Sequence, residues 1–426
     1  MNSINIAILG IGTVGGGTYK IIENQKSEFL KKIGSNINIK KILVKDKNKY
    51  REGIKESLIT DDWNEIINDD SIHIIVEVMG GIEPAKSYII ESLERGKSVV
   101  TANKDLISSY GNIILNIAKK NNCDILFEAA VAGGIPIIRP LKQCLAGNNI
   151  REIVGIINGT TNFILTKMTD SKMSFNEALE IAKELGYAEA EPSSDIEGFD
   201  SARKLAIMSS IAFNSRVSFE NVYVEGITNI SLDDIEYAKE LGCCIKLVGI
   251  ANNFNNEIEV RVHPVLIPNE HPLSNVKNSF NAICVKGDFI GDAMFFGNGA
   301  GELPTASAIV GDIIDIIRNI NFNCCGRINC TCYRNIAIKS IDNVYSKYFV
   351  RMQIFDRPGI LAKVLTVFAK NSVGIYQMLQ KNKRDNGYAE IVIVTDKVKE
   401  EYINKSINDF NDKIIVKKID SIIRVY

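Results

Sequence analysis

A glycine-rich turn near the start of the chain limits its fold more than any other feature. Residues 4–9 read I-N-I-A-I-L, which predicts a short buried strand, and Gly10, Gly12 and Gly15 follow it in the pattern G-x-G-x-x-G. A helical stretch comes next, so the order is that of a dinucleotide-binding turn at the first strand of a parallel sheet. Gly10 would permit the tight turn, Gly12 the approach of a pyrophosphate, and Gly15 the close packing of helix on strand. We therefore predict an N-terminal Rossmann domain.

The residues around this turn complete the predicted cofactor site. Thr13 and Val14 lie between the second and third glycines, where the N–H groups at the start of the helix would face the phosphates. The second predicted strand, residues 39–46, is followed by several charged side chains. Lys45 at the end of this strand favours the 2′-phosphate of NADP over NAD, although a solvated turn of lysines and aspartates explains the same residues.

Two further predicted strands end in polar turns that should lie at the same edge of the sheet. The strand starting at residue 72 runs through Glu77 to Gly80, and the strand starting at residue 99 runs to Asn103 and Lys104. In open parallel sheets the ligand lies beyond the carboxyl ends of the strands. We therefore expect these four residues near the nicotinamide. The alternative for Lys104 is a surface lysine in a strand–helix loop.

Composition limits the classes of protein that the chain can belong to. Its 426 residues suffice for two to four domains, and 46% hydrophobic and 24% charged residues are ordinary for a globular protein. The formal net charge of −1 argues against nucleic acid or an anionic membrane as partner. No apolar run approaches the roughly 18 residues of a spanning helix, and we expect no signal peptide. Nine cysteines, an odd number, fit a reduced cytoplasmic protein better than a disulfide framework.

The histidines are too few and too poorly placed for a histidine-based relay. His73 lies in an apolar run, and His263 and His271 stand beside prolines. Acid–base chemistry therefore falls to Lys, Asp, Glu or Tyr. The segment from Asn158 to Lys204 supplies such residues in quantity, because it gathers Glu189, Glu191, Asp195, Glu197, Asp200 and Lys204. This composition indicates a pocket for a small substrate that bears an ammonium group, with a lysine as proton donor.

Local patterns in the same segment allow other interpretations. Thr160 or Thr161 is expected either to cap the helix that follows or to line the pocket. Ser174 and Glu177 form a capping box at the start of the next helix. Asp200 and Lys204, four residues apart, would share one helix face. By spacing alone, the better explanation is that Asp200 is a helix N-cap and that the two residues form an exposed ion pair.

The motifs of this segment closely resemble those of homoserine dehydrogenases. The chain reads N-G-T-T-N from Asn158, L-G-Y-A-E-A-E-P from Leu185, and then G-F-D and K-L. It departs from the family pattern at Glu191, where Asp is usual. It also carries T-A-N-K ending at Lys104, and G-N-G-A-G-E-L-P-T-A-S-A from Gly297. The resemblance implies reversible, NAD(P)H-dependent reduction of L-aspartate 4-semialdehyde to L-homoserine, on the route to threonine, methionine and isoleucine.

The resemblance also implies roles for individual residues. The catalytic residues would be Lys204, Asp200 and Lys104, and Gly301 in the second glycine loop would join the cofactor site. Residues that would bind the substrate are Glu189, Asp195, Tyr187, Gly159 and Thr160. A sodium-like cation would be held, largely through backbone carbonyls, at Glu128, Val131, Gly133 and Ile135. The alternative for this last stretch is a glycine-rich turn between domains, and the rival functions are a different semialdehyde or amino-acid dehydrogenase and an inactive amino-acid sensor.

Residues 347–426 form a separate predicted unit. Their patterns give the order β-α-β-β-α-β of a ferredoxin-like fold, with a hairpin turn at residues 383–387, a helix over 398–410 and a strand over 413–425. The turn D-R-P-G-I resembles that of ACT regulatory domains, which bind amino acids there. The resemblance implies an effector such as threonine at Asp356, Pro358, Gly359 and Ile360. The alternative is a dimerisation module that binds nothing.

The predicted domain organisation combines these units. The fold class is α/β with α+β, in which a Rossmann domain (residues 1–130, completed by helix 305–322) precedes a mixed α/β catalytic and dimerisation domain (131–304). A linker (323–346) then leads to the ACT domain (347–426), and we expect a homodimer or homotetramer. The linker holds Cys324, Cys325, Cys330 and Cys332. Their spacing is not that of common zinc sites, so zinc binding, a redox-sensitive linker and chance clustering all stay open.

Overall fold

The computed structural model describes residues 2–254, 256–385, 387–410 and 415–426. They form two compact units, each built from three stretches of chain. The first unit comprises Met1–Arg151, Arg203–Asn221 and Ile283–Asn335. The second unit comprises Glu152–Ala202, Val222–Ala282 and Ile336–Tyr426. No helix among the described residues is long and apolar enough to cross a membrane.

The strands and helices follow the chain in this order. The strands are β1 (Asn2–Leu9), β2 (Ser35–Leu43), β3 (Ile59–Thr60), β4 (Ile72–Glu77), β5 (Ser98–Thr101), β6 (Ile125–Leu126), β7 (Ile150–Ile156), β8 (Tyr223–Val224), β9 (Cys243–Phe254), β10 (Glu257–Pro268), β11 (Phe280–Gly287), β12 (Gly291–Asn298), β13 (Ala337–Ile338), β14 (Tyr345–Phe355), β15 (Ile375–Asp385), β16 (Tyr388–Thr395), β17 (Val398–Lys399) and β18 (Val416–Val425). The helices are α1 (Thr13–Asn24), α2 (Lys26–Ile33), α3 (Asn64–Ile67), α4 (Ala85–Glu94), α5 (Lys104–Lys120), α6 (Gly159–Ser171), α7 (Phe175–Glu184), α8 (Ser193–Ile196), α9 (Phe199–Ala212), α10 (Leu232–Glu240), α11 (Glu302–Asn321), α12 (Ile360–Lys370) and α13 (Glu400–Asp409).

The first unit contains a six-stranded parallel sheet in the order β3-β2-β1-β4-β5-β6. This is the strand order of a Rossmann fold, so the predicted α/β class is confirmed for this unit. From Ile6 to Leu9, strand β1 is apolar and buried, because parallel strands are covered on both faces. Ile6 and Ile8 are fully buried there, in one core with Ile22 of α1 and Ile313 of α11.

Helix α11 packs directly on α1 within the first unit. A Cβ on Gly17 would lie 2.9 Å from the carbonyl oxygen of Glu302, and Lys20 forms an ion pair with the Glu302 carboxylate at 2.7 Å. The sequence predicted a helix over 305–322, directly after Pro304, whereas the helix begins at Glu302. Proline is tolerated in the first turn of a helix, where no N–H donor is required, so it did not mark the boundary.

The second unit contains a longer sheet in the order β7-β9-β10-β18-β14-β16-β15. Strands β9 and β10 form a long antiparallel hairpin, and β18 pairs in parallel with β10 and antiparallel with β14. The part β18-β14-β16-β15, with α12 and α13 on its core, has the predicted ferredoxin-like order. Helix α13 and strand β18 begin at Glu400 and Val416. Parts of the predicted hairpin turn and last strand, residues 386 and 413–414, lie outside the described residues.

Candidate active site

The turn between β1 and α1 has the geometry that its glycines predict. Gly10 has a φ of +99°, and a Cβ on Gly15 would lie 2.2 Å from the Gly10 carbonyl oxygen, so neither position tolerates a side chain. A Cβ on Gly12 would meet nothing within 4 Å, which leaves the backbone open on that side. Gly12 precedes the helix, no side chain caps it, and the first turn holds no acidic residue. The first N–H groups of α1, from Thr13 onward, therefore face an open anion site.

An open cleft of about 550 Å³ begins at this turn. Gly10 and Gly12 line it together with Lys45, Lys49 and Arg51, which come from the segment after β2. Val14, which was predicted to belong to the cofactor site, packs against the core of the first unit. The cleft therefore joins the glycine turn to three basic side chains.

Hydrogen bonds within the segment after β2 fix the loop that carries these three basic side chains. The Arg51 guanidinium donates to the carbonyl oxygens of Lys49 (2.6 Å) and Asp46 (3.0 Å). Lys47 forms an ion pair with Asp61 at 3.0 Å. Lys45 is exposed and lies just past the end of β2.

The ends of β4 and β5 are tied together by buried polar side chains. Glu77, which the sequence placed near the nicotinamide, is fully buried, and its carboxylate accepts hydrogen bonds from the backbone N–H groups of Met79 and Gly80 and from the Thr101 hydroxyl. This carboxylate fixes the turn. The Asn103 side chain donates to the Gly81 carbonyl at 2.6 Å and caps α5. Asn103 thereby fixes the position of Lys104.

Lys104 is the first residue of α5 and belongs to a charged cluster in the first unit. Its amino group lies 4.0 Å from the Asp105 carboxylate, which forms an ion pair with Arg203 at 2.9 Å. Arg203 lies in α9 and directly precedes Lys204. Asp105 therefore connects the start of α5 with the turn of α9 that carries the second lysine.

Asn158 is the residue that organises the acidic segment, and the sequence interpretation missed it as a site residue. Its side-chain nitrogen donates to Asp195 (2.7 Å) and to Asp200 (2.9 Å), and its side-chain oxygen accepts from the Thr161 N–H. Asn158, and neither Thr160 nor Thr161 as expected, is thus the cap of α6. An asparagine has both a donor and an acceptor, so one side chain caps the helix and holds two carboxylates together.

The other predicted substrate residues surround this hub in the second unit. The Thr160 hydroxyl donates to the Tyr187 carbonyl at 2.6 Å, and the Tyr187 ring lies 4.9 Å from that of Phe163. A Cβ on Gly159 would lie 2.8 Å from the Ser279 carbonyl oxygen, so only glycine fits there. Glu189 is exposed. The stretch from Tyr187 to Phe199 contains the short helix α8, which carries Asp195.

Asp200 and Lys204 lie one turn apart on α9. The helix begins at Phe199, so Asp200 lies inside the first turn, and the alternative that made it the helix cap is wrong. Asp200 is buried, with 6% of its surface exposed, and Lys204 is half-buried. A buried carboxylate held by Asn158 is not part of a simple exposed ion pair.

The stretch predicted to hold a cation has a carboxylate that is already engaged. The Glu128 side chain accepts from the backbone N–H groups of Ile137, Ile138 and Arg139 at 2.6 to 2.8 Å. Burial, followed by repulsion from Glu128, raises the pKa of Asp312 to about 7. Among the described residues, no group of three or more His, Cys, Asp or Glu side chains could hold a metal ion.

The backbone around this carboxylate is closely packed. Val131 and Ile135 are buried, and Gly133 has a φ of +53°. A Cβ on Gly133 would lie 2.6 Å from the carbonyl oxygen of Gly299 in the second glycine loop. That loop ends at Gly301, which directly precedes α11 and has a φ of +116°. Both glycines are therefore required by the backbone itself.

Comparisons with known proteins agree on one family. Residues 10–128 match the model of the homoserine dehydrogenase NAD-binding domain, and residues 136–314 match the homoserine dehydrogenase model. The homoserine dehydrogenase of Bacillus subtilis is 42% identical over 100% of this chain and 99% of its own. The chain belongs to the homoserine dehydrogenase family. Its activity is therefore the reversible, NAD(P)-dependent reduction of L-aspartate 4-semialdehyde to L-homoserine, as the motifs predicted.

Solved homoserine dehydrogenases share the fold. The enzyme from Thiobacillus denitrificans is 39% identical, covers 100% of this chain and 99% of its own, and superposes with a TM-score of 0.94. A hyperthermophilic archaeal homoserine dehydrogenase solved in complex with NADPH is 30% identical, covers 74% of this chain and 97% of its own, and has a TM-score of 0.62. The predicted family and fold class are thus confirmed, and so is the use of a nicotinamide dinucleotide as cofactor.

Proposed function

We propose that Lys204 is the proton donor of this homoserine dehydrogenase. The bound dinucleotide supplies a hydride to the aldehyde carbon of the substrate, and the carbonyl oxygen then becomes an alkoxide. Lys204 protonates this oxygen, Asp200 orients Lys204 from one turn earlier on α9, and Lys104 polarises the same oxygen. Glu189 binds the ammonium group of the substrate, with Asp195, Tyr187, Gly159 and Thr160 forming the rest of the substrate site.

The observation that carries this proposal is the Asn158 hub. Asn158 donates to Asp195 and Asp200 at 2.7 and 2.9 Å, so two acids from separate helices are held in one place by a single amide. Such support from neighbouring residues is what a catalytic group needs to stay in its productive orientation. The arrangement gives Asp200, buried next to the turn that carries Lys204, a role that an exposed ion pair does not need.

The first test measures oxidation of the reduced cofactor by aspartate semialdehyde, monitored as the loss of absorbance at 340 nm. NADPH and NADH are compared in parallel, each with and without threonine. We expect turnover with both cofactors and a higher kcat/KM for NADPH. Absence of turnover with either cofactor would favour the inactive amino-acid sensor.

We propose that NADPH is the preferred cofactor. Three basic side chains, Lys45, Lys49 and Arg51, line the cleft beyond β2, where the adenosine ribose of a dinucleotide lies. A 2′-phosphate there would accept charge-assisted hydrogen bonds. Asp46, the acid that would favour NAD, instead accepts the backbone N–H of Asn48 with its side chain.

Replacing Lys45 by alanine is expected to raise the KM for NADPH by roughly tenfold, since a hydrogen bond to a charged group contributes about 1.5 kcal/mol or more. The KM for NADH should stay within twofold. Steady-state kinetics with both cofactors measure the split. Lys47→Ala is the matched control, because Lys47 is engaged with Asp61 and should affect neither value. Equal losses for both cofactors would contradict a 2′-phosphate contact.

We further propose a monovalent cation at Glu128, Val131, Gly133 and Ile135, bound largely through backbone carbonyls. The left-handed conformations of Ala132 and Gly133 support this, because they bring successive carbonyl groups into a tight turn.

We also propose that the functions divide at the predicted boundaries. Residues 1–130 with helix 305–322 would bind the nucleotide, residues 131–304 would serve catalysis and dimerisation, and residues 347–426 would serve regulation. We propose a homodimer or homotetramer.

We propose that residues 347–426 act as an ACT domain that senses an amino acid such as threonine. The ferredoxin-like strand order supports this. So does the turn before α12, where Asp356 and Pro358 are exposed, Gly359 has a φ of +84° and Ile360 is buried. A carboxylate can accept hydrogen bonds from an ammonium group, and the N–H groups at a helix start can donate to a carboxylate.

Replacing Asp356 by alanine is expected to raise the threonine concentration for half-inhibition at least tenfold, because the effector's ammonium group loses its charged partner. Basal activity should be unchanged. Inhibition curves of the full chain measure both values. Asp409→Ala, an exposed acid at the end of α13, is the control and should be inhibited like the parent. Equal inhibition of the parent and the Asp356 variant would refute a site at this turn.

A further inference from the structure

A small cavity of about 30 Å³ in the first unit is lined by two cysteines of the predicted linker. Helix α5 lines it with Ile107 and Ser108, helix α9 with Ser210, and the segment after α11 with Cys330 and Cys332. Two basic side chains, Lys142 and Arg216, complete the polar part of the lining. The cavity therefore places a C-x-C pair between two helices and beside two cations.

Direct contacts connect the two thiols with their surroundings. The Arg216 guanidinium donates to the Cys330 sulfur at 3.6 Å, and the Cys332 thiol donates to the Ser210 carbonyl oxygen at 3.5 Å. Cys332 lies two residues after Cys330 and lines the same cavity, so its S–H, which donates to Ser210, can instead donate to a Cys330 thiolate. Both cysteines are half-buried and lie outside helix and strand, so a small oxidant can reach them and the backbone between them can adjust.

The surroundings favour the thiolate form of Cys330. The hydrogen bond from the Cys332 thiol, with the nearby charges of Arg216 and Lys142, lowers the pKa of Cys330 to about 5. Burial has the opposite effect elsewhere, since it raises the pKa of Cys123 to about 11 and that of Cys325, which also lies near Asp124, to about 12. The thiolate is the reactive form of cysteine, so Cys330 is expected to react far faster than these two.

We propose that Cys330 and Cys332 form a redox-responsive dithiol, which a hydroperoxide converts to a disulfide that slows the dehydrogenase. The Cys330 thiolate attacks one oxygen of the peroxide, the O–O bond breaks, and Cys330 becomes a sulfenic acid while hydroxide (or an alkoxide) leaves. The Cys332 sulfur then displaces the hydroxyl group and loses its proton, and water forms. The sulfurs lose two electrons in total, and the peroxide gains them.

The effect on activity follows from the helices that line the cavity. Lys104 begins α5 one turn before Ser108, and Lys204 lies on α9 shortly before Ile207 and Ser210. Disulfide formation removes the thiol that donates to Ser210 and neutralises the sulfur that faces Arg216. This coupling rests on the proposed roles of Lys104 and Lys204, whereas formation of the disulfide does not.

The chain offers a direct readout of the disulfide. Trypsin cleaves after Arg327 and Arg334, and the peptide 328–334 between them contains Cys330 and Cys332 as its only cysteines. The reduced full chain is treated with hydrogen peroxide, remaining thiols are alkylated, and this peptide is weighed. We expect the peptide to lose two hydrogen atoms and to escape alkylation. Activity should fall at least fivefold in parallel and return on treatment with dithiothreitol.

Variants separate the steps. In Cys332→Ser, dimedone should label Cys330 as a sulfenic acid, and Cys330→Ser should keep its activity under peroxide. Cys144→Ser, which removes an exposed cysteine outside the cavity, should behave like the parent. The groups that face the Cys330 sulfur are Arg216, Lys142 and Cys332, so labelling of Cys330 should change less than twofold between pH 6 and 8. Labelling of a thiol of ordinary pKa would be roughly 75-fold slower at pH 6 than at pH 8.

Two results would overturn the proposal. If peptide 328–334 keeps both thiols while Cys144 is oxidised, the pair is not redox-responsive. If the disulfide forms and activity is unchanged, it is not coupled to catalysis. Failure here is distinct from failure of the proposed proton donor, because Lys204→Ala is assayed on the reduced protein.

Discussion

Replacing Lys204 by alanine is expected to lower kcat roughly a thousandfold, since a positioned general acid contributes about two to four orders of magnitude. The cofactor site lies at the glycine turn and the cleft beyond β2, so the Kd for NADPH should stay within twofold. Steady-state kinetics and cofactor fluorescence measure the two quantities. Asp200→Asn should lose less activity and shift the pH profile, because Asp200 acts through the lysine.

The matched control for this experiment is Lys183→Ala. Lys183 is a lysine of α7 in an ion pair with Glu180 at 3.0 Å, and its removal should leave kcat unchanged. Lys204→Arg tests whether charge alone suffices, because arginine keeps the charge but does not release a proton near neutral pH. A kcat within fivefold of the parent in Lys204→Ala would rule out the assignment.

Replacing Arg351 by methionine is expected to destabilise the second unit by about 3–5 kcal/mol. Arg351 on β14 is buried and donates to Asp234 (2.8 Å), Glu390 (2.9 Å) and the Ser231 hydroxyl. Ser231 and Asp234 form the capping box of α10. Removing the arginine leaves the buried Asp234 and the half-buried Glu390 without their cation. Thermal unfolding should show a Tm lower by roughly 10 °C.

Two further variants make this result specific. Arg357→Met removes an exposed arginine that lies over the Phe355 ring, and its effect should stay below about 0.5 kcal/mol. Adding Glu390→Gln to Arg351→Met should recover part of the loss, because one uncompensated charge disappears. Additive losses in this double-mutant cycle would show that the two side chains are energetically independent.

Local patterns in the sequence predicted most of the fold. The strand, glycine turn and helix at residues 4–24, the capping box at Ser174 and the ferredoxin-like order all depend on residues close together in the chain. Errors arose where a local rule had a competing solution. The start of α11 is an example, because Pro304 is accommodated inside the first turn instead of preceding it.

The candidate site was predictable in its residue types but not in its connections. Asn158 reaches Asp195 and Asp200 across about forty residues of sequence, and no periodicity encodes such a contact. Glu77 was placed beside the cofactor because it ends a strand. Its burial and the three donors around it could be seen only in three dimensions. The one available signal for Asn158 was its position directly before a helix, where asparagine is a preferred cap.

The central position of β18 has a consequence for synthesis of the chain. Strand β18 pairs with β10, so Val265 has its partner only once Arg424 has been synthesised. Strand β18 also pairs with the edge of β14. During translation both neighbours are therefore finished long before the strand between them leaves the ribosome. Unpaired strand edges recruit other chains, so nascent chains are most prone to aggregate in this interval. Ribosome stalling or premature termination shortly before residue 416 should yield insoluble product, even though every residue of the proposed catalytic set has already been made.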